Sequence, residues 1–137
     1  MTRRHKAREL LVQALYASEI GGMPLSDSIE EQIERRKPGE ESARFARELG
    51  ERLGGEIATL DEAIDSALTG WAPERVSAVE RCILRLALAE LRQPEDVPAG
   101  AILNEAIELA QDFSGEDAAR FVNGVLDRLL QESRNTD

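Results

Sequence analysis

Apolar positions recur along this chain at steps of three and four and almost nowhere at steps of two, a period that predicts helices and no strands. The first helix is expected from about Thr2 to Ile20, with Thr2 as N-cap and Gly21-Gly22, backed by Pro24, as the stop. At 100° per residue Ala7, Leu10, Leu11, Ala14, Ala17 and Ser18 share the core face. Val12, Tyr16 and Ile20 form a second apolar line on the far side. A helix apolar on two sides either packs within its own domain on both or presents the second line to a partner, and spacing leaves both open.

Ser26 or Asp27 is placed to cap a short second helix reaching about Arg36, where Lys37-Pro38-Gly39 breaks the chain. A long helix from about Glu40 to Leu68 carries Phe45, Leu49, Leu53, Ile57, Leu60, Ile64 and Leu68, with Gly54-Gly55 as a candidate kink. Gly70-Trp71-Ala72-Pro73 is the clearest boundary. It separates a polar N-terminal subdomain of about residues 1–70 from a more apolar C-terminal one of about 71–132, followed by a polar tail, 133–137. The run from Val79 to Leu91 is apolar almost all round, as a central helix is. A loop from Gln93 to Val97 leads to Pro98, a first-turn proline. The helix it opens buries Ile102, Ala106, Leu109, Ala110 and Phe113 and ends at Ser114-Gly115. The last helix carries Ala118, Phe121, Val122, Val125, Leu126 and Leu129 at core spacing. Gly124 sits in its middle, where glycine costs about 1 kcal/mol against alanine. A neighbouring backbone or a ligand is expected to need that space.

At 137 residues the chain is one ordinary domain. No apolar run approaches the roughly 20 residues that span a bilayer. Gln13 and Glu19 interrupt the first apolar stretch, which argues against a signal peptide. Cys82 is the only cysteine, so no intramolecular disulfide forms, and a cytoplasmic protein is expected. The net charge of −10 argues at first against nucleic acid. Its distribution changes that, because Arg3, Arg4, Lys6 and Arg8 make the first eight residues +4 and leave −14 on the remainder.

The inventory of reactive groups is thin. Gly21-Gly22 and Gly54-Gly55 lack the Lys-Ser/Thr of a phosphate loop, and no strand precedes them. One histidine, His5, and one cysteine cannot complete a zinc site. A Cys82–His5 nucleophile pair is a poor candidate, because Cys82 lies in the apolar central helix. Nothing marks a paired acid and base among the many carboxylates. No enzyme activity, catalytic residue, metal or cofactor is expected.

The run Val79-Glu80-Arg81-Cys82-Ile83-Leu84-Arg85-Leu86-Ala87-Leu88-Ala89-Glu90-Leu91 resembles the central helix of the NusB family, and Asp96-Val97-Pro98 its following loop. Asn104 to Ala110 (Asn-Glu-Ala-Ile-Glu-Leu-Ala) is similar to the next family helix. Gly115-Glu116-Asp117 with Phe121 to Asp127 (Phe-Val-Asn-Gly-Val-Leu-Asp) is similar to the last. Arg8-Glu9 and Gln13-Ala14-Leu15-Tyr16 fit the first. The likeness covers nearly the whole chain in order and is weakest from Gly21 to Thr69. Ala89 stands where many relatives carry tyrosine, and the N-terminal arm is short.

The resemblance implies an all-α fold of two small packed helical bundles, about seven helices, forming a single domain over 1–137. It implies a transcription antitermination factor that binds boxA-type single-stranded RNA of nascent ribosomal transcripts. Its partners would be NusE, the ribosomal protein that doubles as a transcription factor, and elongating RNA polymerase with other Nus factors. Single-stranded RNA needs cations for phosphates and flat groups for bases. Arg3, Arg4, Lys6 and Arg8 supply the first, with His5 beside them. Arg120, Phe121 and Asn123 add a cation, a stacking ring and a base-edge hydrogen bond, although spacing alone makes Phe121 a core ring. Asp117 matches an acidic family position near the RNA and partner surface, and is equally a first-turn carboxylate favoured by the helix dipole. Tyr16 and Glu80 are the partner-binding positions by resemblance, and an acidic body suits a basic partner. Some relatives form homodimers through the first helix, a use the Val12–Tyr16–Ile20 line would serve. Two alternatives remain: a non-catalytic protein-interaction module, and a stand-alone accessory domain related to the N-terminal domain of RNA cytosine methyltransferases.

Overall fold

The computed structural model describes residues 3–93 and 97–135, with the side chains of residues 3 and 133–135 outside that description. Thr2, proposed as N-cap, lies outside the described residues, as do Pro94, Glu95 and Asp96 of the expected loop and Thr136 and Asp137 of the tail. Six α-helices follow one another: α1 (Arg3–Gly21), α2 (Leu25–Arg36), α3 (Glu40–Ser66), α4 (Ala78–Leu91), α5 (Ala99–Ser114) and α6 (Glu116–Asn135). A 3-10 turn at Pro73–Arg75 precedes α4. Among the described residues there is no strand, and no helix is long and apolar enough to cross a membrane.

The contacts divide the chain into two helical units, Met1–Glu56 and Ile57–Asp137. The dividing point falls inside α3, ahead of the Gly70–Pro73 interruption. The reason is chemical: Asp61 and Asp65 near the end of α3 bind Arg81 and Arg85 of α4, which ties that stretch to the second unit.

In the first unit α1 packs on α2. Ala7, Leu10, Leu11 and Ala14 are buried as the pattern requires. Val12 and Leu15 are buried too, so the second apolar line is cut down to Tyr16 and Ile20, which are exposed. Ser18 donates to the Met23 carbonyl at 2.6 Å as the chain turns. Helix α2 opens from Pro24, with no side-chain cap; Ser26 and Asp27 fall inside its first turn instead of capping it. The buried Ser28 hydroxyl donates to the Ala14 carbonyl at 2.9 Å and pins α2 to α1. Lys37 ends α2 in the left-handed region (φ 47°), an uncommon conformation for a residue with a Cβ. Gly54-Gly55 does not break α3. Gly50 is the glycine packed against a neighbour: a Cβ there would have to push the end of the Ile29 side chain aside.

The second unit is built around α4, which contacts both α5 and α6, themselves packed together. Every residue of α4 from Cys82 to Glu90 is buried, as its all-round apolar pattern demands. Pro98 is the N-cap of α5, one position earlier than expected. Gly115, at φ 99°, ends α5 in a conformation open to glycine and launches α6. Ala118, Val122, Val125, Leu126 and Leu129 are buried, while Phe121 and Phe113 are only partly covered. Gly124 is exposed, and a Cβ there would meet no atom within 4 Å. The expectation that a neighbouring backbone needs its space is therefore corrected: no backbone approaches it.

Candidate nucleic-acid interface

Each unit carries part of the predicted chemistry. In the first, α1 starts with basic residues that the helix period distributes around its surface. Arg4 and Lys6 are exposed, whereas Arg8 and His5 are buried. The Arg4 guanidinium carbon lies 5.0 Å from the centroid of Phe45, and that of Arg8 5.4 Å. A guanidinium over a ring face gains about 0.5–1 kcal/mol at exposed sites, a modest bias toward this position of Arg4, which remains exposed. Arg4 and Lys6 are thus the available cations, Arg8 is a buried prop on the same ring, and the Arg3 side chain lies outside the described residues. Tyr16 is exposed further along α1.

In the second unit a groove of about 800 Å³ brings together Glu80, Asp117, Arg120 and Phe121, four of the residues singled out from the sequence. Asn123 is exposed on α6 and does not line it. Glu80 sits there because it closes the start of α4: the Ser77 hydroxyl accepts from the Glu80 amide at 3.1 Å, and the Glu80 carboxylate accepts from the Ser77 amide at 3.3 Å. That reciprocal cap satisfies two amides the helix leaves open. Asp117, in the first turn of α6, accepts from Arg120 at 2.5 Å on the surface.

Sequence reasoning missed Trp71, Arg75 and Arg128 in the lining. Trp71 was read only as a boundary marker, yet it is 52% exposed and meets Phe121 edge-on, centroids 5.3 Å apart at 64°. Arg75 and Arg128 line the same groove, and Arg128 donates to the Thr69 hydroxyl. Gly124 opens the groove on α6. The available signal was a lone tryptophan in a polar stretch, followed by arginine four residues on.

The segment carrying Trp71 is held from below. Arg81 donates to the Pro73 carbonyl at 3.3 Å, to Asp65 at 2.8 Å and to Asp61 at 3.3 Å. Arg85 grips Asp61 with two bonds of 2.8 and 2.7 Å. Partial burial pushes the Asp61 carboxyl up, but the hydrogen bonds and charges of Arg85 and then Arg81 outweigh it and hold the group below the usual carboxylate range.

A model of the NusB family matches residues 5–131. The transcription antitermination protein NusB of Dehalococcoides mccartyi is 36% identical over 135 residues, covering 98% of this chain and 94% of that protein. T. maritima NusB superposes with a TM-score of 0.87 at 31% identity, covering 96% of this chain and 92% of that one. A crystal structure of the antitermination factors NusB and NusE in complex with double-stranded RNA superposes with a TM-score of 0.86 at 26% identity, covering 96% and 98%.

Proposed function

The chain belongs to the NusB family of transcription antitermination proteins, which are not enzymes, and on that premise we propose that it binds boxA-type single-stranded RNA of nascent ribosomal transcripts together with NusE. The pair then joins the RNA polymerase elongation complex with other Nus factors in the cytoplasm. The observation that carries this reading is the groove of the second unit. It gathers two aromatic rings and three arginines, Arg75, Arg120 and Arg128, on a chain of net charge −10. Rings and cations together are what single-stranded RNA requires. Arg4 and Lys6 on α1 supply a second set of phosphate contacts. Asn123 reads a base edge, and Tyr16 and Glu80 face NusE. A structural relative holding NusE and RNA supports both partners. That RNA is a duplex, so the form of RNA taken by this chain needs its own test.

The test is fluorescence anisotropy of a labelled boxA-like single strand, its scrambled version and a duplex, with and without NusE, at two salt concentrations. Selective binding of the single strand that tightens with NusE and weakens with salt is expected. Equal or absent binding to all three, with NusE present, leaves a helical protein-interaction module. Tyr16 and Ile20 also offer a surface to a second copy of the chain, which sedimentation across a concentration series would register as a dimer.

A further inference from the structure

We infer that Trp71 is a stacking platform for one unpaired base of the bound RNA, with Arg75 and Arg128 taking the adjoining phosphates. This rests on the RNA-binding reading above and adds to it a residue, a base and a charge pattern. Large aromatic side chains are normally covered, since each carries some 150–250 Å² of surface. Trp71 leaves half of its own in solvent. The ring is nonetheless fixed on one side by Phe121, so a base stacking on it does not have to order it first. Beside the two rings lies a groove of about 800 Å³, within the range of small-ligand sites. Gly124 helps keep that groove open, because any larger side chain on this turn of α6 would enter free space.

Charge selects the occupant. Asp117 is already paired with Arg120. Arg128 bonds the neutral Thr69 hydroxyl, and among the described residues neither Arg128 nor Arg75 has a carboxylate partner. Two guanidiniums with no carboxylate partner among the described residues, on a strongly acidic chain, form a local attractor for phosphate. An aromatic face sharing a groove with such cations accepts any base, because stacking depends on the ring and not on its hydrogen-bond edge.

Trp71 is the only tryptophan in the chain, so its emission reports on the site directly. The experiment titrates boxA-like single-stranded RNA into the chain with NusE bound, following anisotropy and tryptophan emission together, with the signal of the Trp71→Phe complex subtracted. Saturable quenching that tracks the anisotropy isotherm is expected. Trp71→Leu should weaken binding about tenfold, the loss of one base–aromatic stack, while Trp71→Phe stays within about threefold. Gly124→Leu should weaken it comparably by filling the groove, with an unchanged or higher melting temperature, which guards against a folding defect in the Trp71 variants. RNA binding with unmoved Trp71 emission and full affinity in Trp71→Leu overturns the platform and leaves the RNA reading standing. Quenching by NusE alone, with no further change on adding RNA, gives the ring to the protein partner and overturns the platform as well. Absence of any RNA binding by the unsubstituted chain overturns both.

Discussion

Each of the two units contains a two-pronged arginine–carboxylate pair, and Gly50 in the first and Gly124 in the second both lie in mid-helix, but the settings are opposite. In the first unit Arg47 holds Glu30 at 2.7 and 2.8 Å with both side chains about half exposed, 52% and 54%. In the second, Arg85 holds Asp61 at 2.8 and 2.7 Å with exposures of 4% and 27%. The bond lengths are the same; the surroundings are not. The glycines invert the order. Gly50 is buried against Ile29, whereas Gly124 faces open space over the groove. Neither a hydrogen-bond length nor a residue type tells what a feature is worth; the solvent around it decides.

The largest expected effect follows from removing the carboxylate of the buried pair. Asp61→Ala takes the two-pronged carboxylate away from the buried Arg85 and costs about 3 kcal/mol, read as a lowered urea midpoint. The variant also releases one contact of Arg81, which carries the Pro73 carbonyl near Trp71, so RNA affinity should fall with stability. A loss too small to shift the midpoint would mean that water screens this pair as it screens the other. Acid probes the same group. A carboxyl whose folded pKa is depressed contributes stability that is complete above its unfolded value, near 3.8, and is lost as pH falls through the folded pKa. The stability gap between the unsubstituted chain and Asp61→Asn should therefore be full at neutral pH and narrow below about pH 4.

The glycines should answer with opposite signs. Gly50→Ala gains about 1 kcal/mol of helix propensity but forces Ile29 aside in a filled core, which costs about 1–3 kcal/mol, so net destabilisation is expected. Gly124→Ala meets no neighbour and should stabilise by about 1 kcal/mol. Denaturation midpoints of the two variants check this directly, and equal signs would break the contrast.

These features also mark what a reader of the sequence can and cannot recover. Helix α4 was legible because its apolar residues cover all sides, and a helix of that kind has nowhere to go but the middle. The breaks at Gly21-Gly22, Lys37-Pro38-Gly39 and Ser114-Gly115 were legible because proline and glycine act through local backbone sterics. Gly50 was not, since its packing is set by Ile29, 21 positions away in the chain. Gly124 drew attention for the same penalty and proved to need no packing space. Ser26 and Asp27 have capping side chains, yet α2 starts before them at Leu25, after Pro24. Of the candidate site, Glu80, Asp117 and Phe121 came from the family resemblance, and Arg120 from the need of single-stranded RNA for a cation beside a stacking ring. Arg8 looked like a surface cation and is buried against Phe45, a relation between α1 and α3 that no local pattern encodes. Trp71 was visible as a residue and invisible as a site, because its meaning depends on Phe121 lying beside it.

The smallest expected effect sharpens the comparison from the other side. The hydrogen bond from Arg47 holds the Glu30 carboxyl below the usual range, with the Arg47 charge adding to it against a small burial effect. The shift has the same sign as that of Asp61, and the bond is as short. Yet both partners stand in water, where each retains good solvation when the other is removed and where exposed pairs add little. Glu30→Gln should move the denaturation midpoint less than Gly124→Ala raises it. What remains should vanish near 1 M salt, where the screening length falls to about 3 Å. The Asp61→Asn deficit should persist under the same salt, because ions do not reach a guanidinium as buried as that of Arg85. Equal salt sensitivity of the two variants would show that the Asp61 carboxylate, the more open half of its pair, lets solvent reach both.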